Sequence, residues 1–78
     1  MQLLAPPLSP AWAVTQRILQ LANRRRWFQS DLAFRAGISR SRFYDAVRFS
    51  NFTDSELLCI AEALGVPLST VLDVSEVL

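Results

Sequence analysis

The stretch Gln29-Ser-Asp-Leu-Ala-Phe-Arg-Ala36, Gly37-Ile38-Ser39, Arg40-Ser-Arg-Phe-Tyr-Asp-Ala-Val-Arg48 decides the reading of the chain. Leu32, Ala33 and Ala36 recur at helical spacing, which predicts a helix over 29–36 with these three inward. Gly37 stands where a helix end takes a left-handed residue, a conformation that costs glycine no Cβ clash. Ile38 is predicted to be buried. Ser39 is an N-cap side chain and opens a helix over 40–48 with Phe43, Ala46 and Val47 inward. The other side of that helix carries Arg40, Ser41, Tyr44, Asp45 and Arg48.

Working outward, Ser9-Pro10 is a helix-start signal, because proline at the first helical position gives up no needed donor. Ala11, Val14, Ile18, Leu21 and Ala22 then predict a helix over 10–25. The cluster Arg24, Arg25, Arg26 falls in its last turn, where it favours the helix dipole. On the other side, Ser50-Asn51 reads as a loop. Thr53-Asp-Ser-Glu56 is a capping box, and Leu57, Ile60, Ala61 and Leu64 face one way along a helix that ends at Gly65. Val66 packs back and Pro67 prevents continuation. Ser69 caps a fifth helix carrying Val71 and Leu72. Five short helices and no strand predict a compact all-α, five-helix domain over 10–78, preceded by a Pro-bearing arm over 1–9. The unit 29–48 is a helix-turn-helix.

Composition narrows the chemistry. The 78 residues include no His and one Cys, Cys59. Without histidine the commonest metal ligand and general acid–base group is missing. One cysteine makes neither a disulfide framework nor a cysteine zinc site, so Cys59 reads as a small buried hydrophobe in a reducing compartment. No metal, cofactor or small-molecule effector is expected, and no enzymatic activity. Residues 1–13 carry no Lys or Arg and are broken by Pro6, Pro7 and Pro10, unlike a secretory signal. No apolar run approaches the roughly 20 residues of a membrane span. The expectation is a cytoplasmic protein. The net charge of +1 conceals a split: residues 1–50 hold all eight Arg against Asp31 and Asp45, and residues 51–78 hold five acidic residues and no basic one. That predicts one basic face and one acidic face.

From about Thr15 to Leu72 the chain resembles the Cro and phage-repressor type of helix-turn-helix proteins, with the lambda-repressor-like fold. The match lies in Gln29-Ser-Asp-Leu32-Ala33, Gly37-Ile38-Ser39-Arg40-Ser41 and Ala61-Glu-Ala-Leu64-Gly65-Val66-Pro-Leu68-Ser69. In that family Gln opens the second helix, Ala allows a close helix crossing, Gly makes the turn and a β-branched residue plugs the core. Gln29, Ala33, Gly37, Ile38 and Phe43 stand at those positions. Three features depart from the pattern. An Arg–Glu pair common in the family corresponds to Ala22 and Val47, which predicts an apolar contact between them. Phe49 replaces a usual Gly, and Phe52 follows, which predicts a remodelled loop. Phe28 replaces the usual Ser or Thr cap of the second helix.

The resemblance implies a small sequence-specific regulator of bacterial or phage type, acting as a repressor, that lays the helix over 40–48 in the major groove of double-stranded DNA. It places Arg40, Ser41, Tyr44 and Asp45 as base readers and Gln29, Arg42, Arg48 and Asn51 at phosphate. Arg40 has the fork geometry for a guanine edge, and Asp45 accepts from a cytosine amino group or pairs with Arg42 or Arg48. Such domains pair on near-palindromic sites, so a homodimer is expected, with Trp12, Leu58, Val74, Val77 and Leu78 as the spare apolar surface. The rival reading is a protein-interaction module on the same fold, such as an antitoxin, supported by the acidic second half and the surplus apolar residues.

Overall fold

A computed structural model describes residues 9–75 and Val77; the arm before Ser9, Glu76 and Leu78 lie outside the described residues. Five helices and no strand are present among them: α1 (Pro10–Arg24), α2 (Gln29–Ala36), α3 (Arg40–Phe49), α4 (Asp54–Leu64) and α5 (Leu68–Leu72). The all-α, five-helix domain read from the sequence is the one observed.

Local chemistry sets the helix starts. The Ser9 hydroxyl accepts from the Trp12 N–H at 3.1 Å and the Ser39 hydroxyl from the Arg42 N–H at 3.2 Å. Thr53 and Glu56 form both halves of the capping box. At α2 the lost cap is half replaced: the Asp31 carboxylate accepts from the Phe28 N–H at 2.8 Å. α5 begins at Leu68, not after Ser69 as expected, with Pro67 at the N-cap. Proline suits that position because its fixed φ matches an extended cap, and its carbonyl accepts from the Thr70 N–H.

The helix ends share one solution. After α1, α2, α3 and α4 a residue in the left-handed region lets the next N–H reach back to the carbonyl five residues earlier, as from Trp27 to Ala22 and from Val66 to Ala61. Gly37 (φ 72°) and Gly65 (φ 69°) do this without strain, whereas Arg26 (φ 57°) and Ser50 (φ 53°) carry a Cβ into that conformation. α1 therefore stops at Arg24, one residue before the expected end, because Trp27 turns back toward the core. Ser50→Gly is expected to stabilise the domain by about 0.5–1 kcal/mol, read as a higher urea midpoint with an unchanged slope. Gly37→Ala is expected to cost about 1 kcal/mol, although its Cβ would meet nothing within 4 Å.

The core gathers Ile18, Leu21 and Ala22 from α1, Leu32 and Ala33 from α2, Phe43 from α3, Ile60, Ala61 and Leu64 from α4 and Val71 from α5. Phe43 is fully buried, so its ring fixes α3 by its inner face. Ala22 is buried within this cluster and Val47 packs on its edge, so both residues of the expected apolar pair serve the same core. Ile38, Val14, Ala36 and Leu57 are only half-buried at the margin, while Ala11 and Leu72 are exposed. Cys59 is exposed, contrary to expectation. It precedes the buried pair Ile60–Ala61 and is turned about 100° off that stripe.

Two arginines hold the helices together in ways the sequence did not suggest. Arg17, almost fully buried, donates from Nε to the Thr70 carbonyl at 3.0 Å and from Nη1 to Gln20 Oε1 at 2.7 Å, which ties α1 to α5. Arg25 donates to the Leu21 carbonyl at 3.2 Å and to the Leu64 carbonyl at 2.6 Å. One guanidinium thus satisfies orphan carbonyls at two helix ends.

Candidate nucleic-acid interface

α3 divides cleanly into two sides. Phe43 and Ala46 face the core, and Arg40, Ser41, Tyr44, Asp45 and Arg48 are exposed. Steps of three and four residues stack these five side chains into one strip along the helix. Arg40 and Ser41, at its N-terminal end, make no side-chain hydrogen bond or ion pair among the described residues. Arg48 rests its guanidinium 5.2 Å from the Phe49 ring centroid. Asp45 forms no ion pair with Arg42 or Arg48, so that expected pairing is not made; its carboxylate acts on Arg42 only at longer range. Tyr44 is 43 % exposed, its edge available at the middle of the strip.

Arg42 points elsewhere. Its Nε donates to Glu56 Oε2 and its Nη2 to Glu56 Oε1, both at 2.8 Å, the fork geometry of the strongest charge-assisted pairs. Nη2 also donates to the Asn51 carbonyl at 2.8 Å, and Nη1 to Asn51 Oδ1 at 3.3 Å. Four of the five N–H donors are thereby committed inside the protein, which leaves one. The hydrogen bonds from Arg42, with those from the Thr53 backbone, hold the Glu56 carboxyl at about 2, well below the usual carboxylate range. The same carboxylate raises the Arg42 pKa further.

This clamp stiffens the loop between α3 and α4. Phe52 packs edge-on against Phe43 at a centroid separation of 5.4 Å. The Asn51 N–H donates to the Ala46 carbonyl at 3.1 Å, and the capping box follows at Thr53. The loop between Phe49 and Thr53 is thus a fixed brace that orients α3. Asn51 joins it, its Oδ1 engaged by Arg42 and its amide nitrogen left as a donor. Arg42 and Asn51 are brought together; Gln29 is placed apart from them, half-buried in the first turn of α2. Glu56 was legible only as a cap, because its second partner comes from fourteen residues upstream.

The expected spare apolar surface is divided. Trp12 and Val77 line one open groove of about 660 Å³ with Leu19, Trp27 and Phe28, but Leu58 does not border it. Trp27 packs on the core and has two cations over its ring, Arg35 at 4.3 Å and Arg25 at 5.8 Å from the centroid. Among the described residues no cluster of three metal-ligating side chains occurs, and no helix is long and apolar enough to cross a membrane. The architecture is therefore a small all-α domain with a helix, a tight turn and an outward-facing helix. Comparison with protein-family models, curated proteins and solved structures gives no match.

Proposed function

We propose that the chain is a small sequence-specific DNA-binding regulator, not an enzyme, that enters the major groove with α3 and pairs on near-palindromic sites. The observation that carries this reading is the exposed strip Arg40, Ser41, Tyr44, Asp45 and Arg48 on a helix braced from behind by Phe43 and the Arg42–Glu56 clamp. A major groove admits one helix, and a reader helix needs free polar ends on a rigid support. Arg40 and Ser41 read base edges at the N-terminal end, Tyr44 and Asp45 one turn on. Arg48, Asn51 and Gln29 bind phosphate, and Arg42 adds its one remaining donor while it positions the others. Arg48 and Arg42 together place two cations per copy near the backbone.

Selection from a randomised duplex pool tests the reading. The expected result is enrichment of a near-palindromic motif. For two copies bearing two phosphate-facing arginines each, the affinity should fall with log salt at a slope of about −3 to −4. No enrichment by the folded protein would overturn it. The acidic outer side of α4 favours a protein partner instead, whose binding in an apolar contact would show little salt dependence.

A further inference from the structure

Phe34 is 86 % exposed, the highest of any large hydrophobic among the described residues, yet it sits in the middle of a well-formed helix. A hollow of about 380 Å³ opens beside it between α2 and α4, bordered by Arg35, Gly37, Cys59, Glu62 and Ala63. A projecting ring next to a recess is the arrangement an isologous contact needs, since a two-fold axis carries each ring into the other copy's recess. The charges on its border obey the same symmetry. Arg35 comes from the α2 side and Glu62 from the α4 side. Arg35 lies over the Trp27 ring, and neither Arg35 nor Glu62 has an ion-pair partner among the described residues.

We propose that the α2–α4 face is the homodimer interface, with each Phe34 seated in the other copy's recess and Arg35 opposite Glu62 of the second copy. The occupant is a second copy and not an arbitrary apolar partner because ring, recess and both charges lie on one small surface. A purely acidic border would instead have favoured a basic peptide. A specific two-fold contact needs about 600 Å² per copy, the low end of such interfaces. It would take roughly an eighth of the 5000 Å² accessible surface. This face differs from the surface of Trp12 and Val77 and supplies the pairing that the DNA reading calls for, on which it otherwise does not depend.

The test is light scattering and sedimentation of the whole chain without DNA, from about 5 µM to about 500 µM. The wild type is expected to pass from monomer to dimer. Phe34→Asp should stay monomeric with an unchanged circular dichroism spectrum, because the site is exposed. Arg35→Glu and Glu62→Arg should each weaken the dimer by roughly tenfold, and the double exchange should restore it. The single cysteine, Cys59, at the border should cross-link between copies with a short bismaleimide in the wild type and not in Phe34→Asp. A wild type monomeric throughout, or a dimer that survives in folded Phe34→Asp, would overturn the proposal. A Phe34-dependent dimer that ignores duplex DNA would refute the regulator reading alone.

Discussion

Replacing Arg40 with alanine is expected to weaken binding to the selected duplex by roughly 5- to 150-fold, or about 1–3 kcal/mol, and to relax preference at one base pair per half-site. The size follows from geometry. A guanidinium presents a planar fork that matches the two acceptors of guanine, and no shorter side chain reaches both. Arg40 is exposed, first in α3 and free of intramolecular partners among the described residues, so nothing has to be broken for it to bind. For the same reason the folding stability should change by less than about 0.5 kcal/mol. Competition binding against duplexes varied at each position, beside a urea titration, checks both halves. Unaltered base preference would remove Arg40 from the readers and move attention to Tyr44 and Asp45.

Arg42→Met should act in the opposite way, on the fold first. The substitution keeps much of the aliphatic stem but removes the fork to Glu56 and the bonds to Asn51. Charge-assisted hydrogen bonds of this kind are worth about 1.5–3 kcal/mol, and the half-exposed setting argues for about 2 kcal/mol. Against a net stability near 3–5 kcal/mol at this size, that is a melting temperature lower by about 10 °C. The pH dependence identifies the cause. The Glu56 carboxyl titrates at about 2 in the folded chain and near 4.5 when free of its partner. Its contribution is therefore complete above pH 4.5 and is lost as pH falls through about 2. Wild type should lose stability across that window, and Arg42→Met should lose much less. Glu56→Gln, which keeps an oxygen for the Thr53 N–H, should flatten the same window. DNA binding then separates the two roles of Arg42: a phosphate contact in each of two copies reduces the salt slope by about two, whereas a positioning role leaves the slope and blurs base preference.

Much of this molecule is written in short-range chemistry. Ser9, Ser39 and the Thr53–Glu56 box mark helix starts because their side chains answer amides three residues away, and a three-residue relation is visible in any sequence. Gly37 and Gly65 mark ends because only glycine adopts the left-handed turn without strain. The inward stripes of Leu32–Ala33, Phe43–Ala46 and Ile60–Ala61–Leu64 follow from helical periodicity. The outward strip of α3 follows as their complement, which is why the candidate readers were legible.

What escaped the sequence depends on distance along the chain. Arg42 reads as one more cation on an exposed helix until α4 brings Glu56 against it. Arg25 reads as a helix-ending charge until it reaches the Leu64 carbonyl, thirty-nine residues on. Arg26 and Ser50 adopt the left-handed turn with no glycine to announce it, because Trp27 and Asn51 are pulled back by the packing. Local sequence was enough for the five helices, the N-caps of α1, α3 and α4 and the side of α3 that faces solvent, since each rests on residues within two turns of one another. Which arginines are tied down inside the protein, that Cys59 lies outside, and that Phe34 projects beside a recess depend on which helices meet, and only the packed fold settles them.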